Sequence, residues 1–263
     1  MKMPGTPART LPVRALVPNA ITALALCSGL TGIRYAILGQ WDWAALSIVL
    51  AALFDGLDGR IARLLRGTSR FGAELDSLSD IVAFGVAPAL IMFLWSLEAS
   101  PRIGWMAALA HAVCCALRLA RFNAQLDTEE VPYKRAGFLT GVPAPAAAAI
   151  SILPLFLWLA LHNWPDTETL RILTRSQHVV AAMLTMSAML MLLNLPSWSW
   201  RSFSIAPRFR IPALAIITLI FAELIMQPWE TLSVATLVYI LILPLAWYRY
   251  ARVRQHVAQA DAT

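Results

Sequence analysis

Apolar residues in this chain run in long unbroken stretches. They show neither the alternation of a half-buried strand nor the one-sided stripe of a surface helix. Eight such stretches cover residues 17–36, 41–65, 74–97, 103–123, 141–161, 177–195, 211–227 and 231–248. Each approaches the roughly 20 apolar residues that carry a helix across a bilayer. Pro and Gly fall mainly between them, as at Pro101, Pro165, Pro196 and Pro228, while Pro143 and Pro145 open the fifth stretch, where a missing N–H is tolerated. The pattern predicts an all-α, polytopic integral membrane helix bundle of about eight transmembrane helices. It divides the chain into an N-terminal segment 1–16, one transmembrane domain 17–248 and a tail 249–263. The first stretch runs to Ile33 with no small-x-small cleavage site before a polar region, which predicts an uncleaved span.

Composition sharpens this picture. Of 263 residues, 59% are hydrophobic and 14% charged, against about 25% charged in an ordinary globular domain. Disordered chains, coiled coils and nucleic-acid-binding arms need far more charge and are excluded. The net charge of +6 fits basic loops facing the cytoplasm and anionic lipid. With the N-terminus inside, the inner segments hold all of the 21 Lys and Arg residues except Arg34, Arg102, Arg171 and Arg175. Both termini are therefore predicted to be cytoplasmic. Cys27, Cys114 and Cys115 lie inside apolar stretches and read as packing residues.

One segment departs from the membrane pattern. FDGLDGRIARLLRGTSRFGAELDSLSD, residues 54–80, closes the second span and opens the third, and places Asp55, Asp58, Asp76 and Asp80 at the inner membrane face. An Asp at a helix centre costs about 2.5–3.5 kcal/mol, so four require compensation. At about 100° per residue, Asp55 and Asp58 share one helix face, as do Asp76 and Asp80. Gly59 and Ala62 lie on the first face and Gly72 and Ala83 on the second, small residues that let backbone or ligand approach. Four hard oxygen ligands without nearby His or Cys favour Mg²⁺, Mn²⁺ or Ca²⁺. Two such ions can clamp a phosphate for in-line displacement, and Arg60, Arg63, Arg66 and Arg70 add a basic rim. An ion-pair cluster and a cation pathway remain as alternatives at this point.

The spacing D-x2-D-G-x2-A-R-x8-G-x3-D-x3-D, carried by Asp55, Asp58, Gly59, Ala62, Arg63, Gly72, Asp76 and Asp80, resembles the signature of the CDP-alcohol phosphatidyltransferases. That resemblance implies replacement of CMP on a CDP-linked lipid by an alcohol, with two divalent metal ions, Mg²⁺ or Mn²⁺. It implies Asp55, Asp58, Asp76 and Asp80 as metal ligands and Asp80 also as general base. It further implies Asn19, Thr22, Gly59, Arg63 and Ser69 as contacts to the CDP-lipid. Without it, Asn19 and Thr22 read equally as a helix cap after Pro18.

Two more segments, LRLARFN (117–123) and GFLTGVPAPAAAA (137–149), make the chain similar to membrane-embedded bacterial and archaeal phosphatidylserine synthases. The resemblance covers roughly residues 17–150, within a family core of about 17–195. It implies CDP-diacylglycerol and L-serine as substrates, phosphatidylserine and CMP as products, a homodimer among membrane lipids, no nucleic-acid partner, and a prokaryotic cytoplasmic membrane with the site on the cytoplasmic side. Another acceptor alcohol (glycerol 3-phosphate, inositol phosphate or choline) would use the same chemistry, and a cation-coupled transporter is the alternative of another class. A serine carboxylate needs cations, and Arg118, Arg121, Lys134 and Arg135 at the inner face are the candidates for serine or phosphate binding; the positive-inside rule alone would also put basic residues there. His111 reads as an interhelix polar residue, and Glu223 as protonated or interfacial. The last three spans carry no motif.

Overall fold

The computed structural model describes residues 13–65, 67, 69–126, 138–193, 196–198 and 210–260. Nine helices are described: α1 (Val13–Ile37), α2 (Trp41–Leu64), α3 (Arg70–Leu97), α4 (Pro101–Leu126), α5 (Ala144–Ala160), α6 (Glu168–Thr174), α7 (Gln177–Leu192), α8 (Arg210–Met226) and α9 (Pro228–Ala260). Two three-residue strands, Phe138–Thr140 and Pro196–Trp198, pair antiparallel with Phe138 opposite Trp198. The chain is thus essentially all-helical.

Among the described residues, three helices are long and apolar enough to cross a membrane: Leu16–Ile37, Arg70–Leu97 and Pro101–Ala124. Helix α2 falls outside that group because Asp42, Asp55, Asp58, Arg60 and Arg63 interrupt its apolar sequence. Helices α5 and α7 are apolar but shorter, at 17 and 16 residues. The apolar exterior, including Leu24, Leu30, Leu109 and Ile217, suits lipid rather than water and makes this a membrane protein.

Helix contacts rest on small side chains, as they must where lipid supplies no hydrophobic contrast. A Cβ on Gly29 of α1 would sit 2.8 Å from Ala83 Cα of α3, and one on Gly85 would sit 3.1 Å from Cys115 Cβ of α4. Ala44, Ala45, Ala51 and Ala87 are fully buried in the same core. Helix α5 occupies the centre, packed by α2, α3, α7 and α9, while α8 rests on α9 and has no buried residue; Glu223 lies exposed on it.

Helix α3 is wound more loosely at two places, Ile81–Val86 and Phe93–Leu97, where π turns replace α turns. The Ala87 N–H bonds the Val82 carbonyl five residues back. Pro88 has no N–H to offer Phe84, one turn before it. The freed Phe84 carbonyl instead accepts from His111 Nε2 at 3.0 Å, and His111 Nδ1 lies 2.7 Å from Ser187 Oγ. A carbonyl only accepts, so Nε2 carries the proton, and the Ser187 hydroxyl lies between His111 Nδ1 and the Leu184 carbonyl, 2.8 Å from the latter. His111 is therefore an interhelix tie among α3, α4 and α7, as its position in an apolar span suggested.

The chain departs from the sequence-based boundaries in two places. The segment between the fifth and sixth spans contains the short helix α6, whose Arg171 guanidinium lies 4.8 Å from the Trp158 ring centroid. Arg175 Nε donates to the Trp95 carbonyl at 3.2 Å. These two arginines, expected only as loop charges, close the far end of α3 by cation–π and hydrogen-bond contacts. The last helix also runs on to Ala260, through the residues expected as a tail from 249; no Gly or Pro follows Pro244 to stop it.

Candidate active site

The site forms where α1, α2 and α3 meet. Ser69 starts α3 by accepting a hydrogen bond from the Gly72 N–H at 3.0 Å, the ordinary chemistry of an N-cap. The short connection between α2 and α3 predicts neighbouring antiparallel helices. The structure packs α1 against both, brings Asp55 of α2 close to Asp76 and Asp80 of α3, and leaves a cleft of about 140 Å³ lined by all three helices. Pro18, Asn19, Thr22, Asp58, Gly59, Ala62, Gly67, Ser69, Gly72, Ala73 and Asp76 line it.

Small residues keep this cleft open. No heavy atom lies within 4 Å of where a Gly59 Cβ would project. A Cβ on Gly72 would come 2.8 Å from Asn19 Oδ1 and 3.2 Å from Ser69 Oγ. The spaced glycines of the sequence motif thus serve two ends: one leaves the cleft wall bare, the other lets α3 approach α1.

Asp55, Asp76 and Asp80 each bring one carboxylate oxygen into a group within 4.8 Å of one another, and all three are half-buried. Among the described residues, this is the convergence of acidic groups suited to a cation. An all-oxygen donor set fits a hard divalent ion, and three carboxylates this close need positive charge between them. Asp58 stands apart from that group. It is buried, at 5% exposure, and accepts a 2.5 Å hydrogen bond from Thr22 Oγ1. Thr22 Oγ1 also lies 3.1 Å from the Pro18 carbonyl, and the Thr22 carbonyl accepts from Ser79 Oγ at 3.2 Å. Thr22 therefore ties α1 to α2 with its side chain and to α3 with its backbone.

The residues expected to contact a CDP-lipid mostly gather here. Asn19, Thr22, Gly59 and Ser69 all line the cleft; Arg63, one turn beyond Gly59, is exposed at the end of α2. Asn19 and Thr22 do not cap a helix, because α1 begins earlier, at Val13, and runs through Pro18. The cleft residues Pro18, Gly67 and Ala73 were not singled out by the sequence.

On the α4 side, Asn123 Nδ2 donates to Ser77 Oγ at 2.9 Å, holding α4 against α3. Arg118 is half-buried and has Asp80 and Tyr239 among its electrostatic neighbours; its Nε is buried without a hydrogen-bond partner. Arg121, one turn on, is exposed. Of the four basic residues expected near an acceptor, Arg118 interacts electrostatically with Asp80; Lys134 and Arg135 lie outside the described residues.

The model of the CDP-alcohol phosphatidyltransferase family matches residues 15–184, which include the cleft, the four aspartates and Arg118. The chain belongs to the CDP-alcohol phosphatidyltransferase family. A second model, CDP-alcohol phosphatidyltransferase 2, matches residues 208–244. The chain is 37% identical over 233 residues to the CDP-diacylglycerol–serine O-phosphatidyltransferase of Mycobacterium leprae, covering 88% of this chain and 74% of that one. It is 32% identical over 232 residues to the protein of the same name from Helicobacter pylori strain 26695, covering 88% of this chain and 91% of that one. A third relative of that name, from Methanocaldococcus jannaschii, is 38% identical over 136 residues, 52% of this chain and 58% of that one.

Proposed function

We propose that this protein transfers the phosphatidyl group of CDP-diacylglycerol to L-serine, giving phosphatidylserine and CMP. The observation that carries the reading is the convergence of Asp55, Asp76 and Asp80 beside a cleft lined by Asn19, Thr22, Gly59 and Ser69. The shared name of the relatives, two of them matched over most of this chain, supports serine as acceptor.

In this reading Asp55, Asp58, Asp76 and Asp80 hold two divalent ions, Mg²⁺ or Mn²⁺. Bound there, such ions would neutralise phosphate charge and stabilise in-line displacement at phosphorus. The protein's own residues do the rest. Asn19, Thr22, Gly59, Arg63 and Ser69 bind the CDP-lipid, with Gly59 giving the diphosphate close access to backbone. Asp80 takes the proton of the serine hydroxyl as that oxygen bonds to phosphorus and the bond to CMP breaks. Arg118 pairs the serine carboxylate, with Arg121, Lys134 and Arg135 as further basic groups along the acceptor path.

The proposal extends to placement. About eight spans cross a prokaryotic cytoplasmic membrane, with a single catalytic domain over 17–248, its family core at about 17–195, both termini and the site on the cytoplasmic side. Lys and Arg asymmetry supports this orientation. A homodimer is the proposed assembly, from the family resemblance. Nothing favours transport: α2 and α3 run past the carboxylates without dividing into the half-helices on which transporters build midplane sites.

The test is an acceptor panel with CDP-diacylglycerol and added metal. CMP release is expected with L-serine. Release with glycerol 3-phosphate, inositol phosphate or choline in its place would move the chain to another branch of the same chemistry.

A further inference from the structure

Helix α9 carries no motif, yet it brings Tyr239 to the edge of the site. The tyrosine is an electrostatic neighbour of Arg118, which in turn neighbours Asp80. Tyr239 Oη and Arg118 Nε are both buried, and neither has a hydrogen-bond partner. Buried polar atoms are nearly always paired, so two orphans on electrostatically neighbouring groups point to a shared partner. Arg118 Nε is a donor only, and a tyrosine hydroxyl donates readily. One acceptor oxygen can satisfy both, and beside a guanidinium a carboxylate oxygen does so with charge assistance.

The phenol ring is anchored independently of that hydroxyl. It lines an apolar cavity of about 260 Å³ together with Ala52 of α2, Ala149 of α5 and Leu232 of α9. The residue also packs against the buried core, so the ring holds its place by packing while the hydroxyl is left for a ligand, the usual division of labour in a buried tyrosine.

We infer that Tyr239 is a positioning and specificity residue of the acceptor subsite, its hydroxyl donating with Arg118 to the carboxylate of the acceptor amino acid. This rests on the reading of serine as acceptor. An acceptor whose hydroxyl reaches Asp80 carries its carboxylate only three bonds away, which puts it within the neighbourhood of Arg118 and Tyr239. The role also gives the last helix a function: it completes a site whose metal-binding and nucleotide-binding parts come from α1, α2 and α3.

The experiment compares wild type with Tyr239→Phe, which removes one oxygen and keeps the ring. KM is measured for L-serine, for CDP-diacylglycerol, and for serinol, an acceptor that has the amine and hydroxyl but no carboxylate. The expected result is a rise in serine KM of about ten- to hundredfold, an unchanged KM for CDP-diacylglycerol, and a preference for serine over serinol reduced by the same factor. An unchanged serine KM, or an unchanged preference, overturns the inference. A parallel loss of CDP-diacylglycerol binding also overturns it, by assigning Tyr239 to the fold. If wild type itself shows no serine-dependent CMP release, the reading of serine as acceptor falls and takes the inference with it; if wild type shows it and Tyr239→Phe matches it, the inference alone falls.

Discussion

Thr22 Oγ1 donates a 2.5 Å hydrogen bond to Asp58 Oδ2, joining two buried residues 36 positions apart. The bond fixes the buried Asp58 carboxylate, which lines the same cleft as Asp76, and attaches α1 to the site. Thr22→Val keeps the shape of the side chain and removes the donor. Hydrogen bonds to charged groups contribute about 1.5–3 kcal/mol. Turnover by Thr22→Val should therefore fall about ten- to hundredfold, while Thr22→Ser stays near wild type. Equal activity in all three proteins would show that Asp58 needs no such anchor.

Arg118→Ala should weaken serine more than CDP-diacylglycerol. Asp80 is among its electrostatic neighbours and its Nε is buried and unpaired, and loss of a charged contact raises KM by about ten- to hundredfold. Steady-state kinetics with each substrate varied in turn reads the difference. Equal losses for both substrates would assign Arg118 to phosphate binding or to the fold.

Asp80→Asn separates base from ligand. If Asp80 acts chiefly as base, CDP-diacylglycerol still binds and the chemical step slows by about 10²–10⁴. Lipid-nucleotide binding and single-turnover CMP release, measured on the same variant, decide this. Collapse of binding together with chemistry would leave Asp80 a ligand and nothing more.

Gly29→Leu tests the crossing of α1 and α3. Even a Cβ at position 29 meets the backbone of Ala83 at 2.8 Å, so a larger side chain must separate the helices. Overpacking of this kind costs about 1–3 kcal/mol. Thermal unfolding in detergent should shift downward and activity should fall with it, since α1 carries Asn19 and Thr22. An unshifted transition would show that the crossing is loose.

The sequence makes much of this site readable because its information is local. Asp55 and Asp58, and Asp76 and Asp80, sit at helical spacings within one 27-residue segment, 54–80, and apolar length predicts the helices that carry them. Contacts between distant segments are not readable that way. Nothing in the sequence pairs Thr22 with Asp58, makes Tyr239 an electrostatic neighbour of Arg118, or shows that α1 packs against both α2 and α3. The first π turn of α3 lies just before Pro88, and its Phe84 carbonyl is met by a histidine from another helix; hydropathy is blind to both. Arg171 and Arg175 read as loop charges until Trp158 and Trp95 are seen beneath them.

The central claim is that the carboxylates of α2 and α3 bind divalent metal and thereby support transfer from CDP-diacylglycerol to serine. The most direct measurement is serine-dependent CMP release by purified protein, stripped by chelator and then restored with Mg²⁺ or Mn²⁺, in wild type and in Asp55→Asn and Asp76→Asn. An amide is a poorer ligand than a carboxylate and removes the charge that holds the cation. The account predicts release by wild type only with metal and serine together, and none from either variant at any serine concentration. Metal-independent release by wild type, or near wild-type release by Asp55→Asn or Asp76→Asn after remetallation, would contradict it.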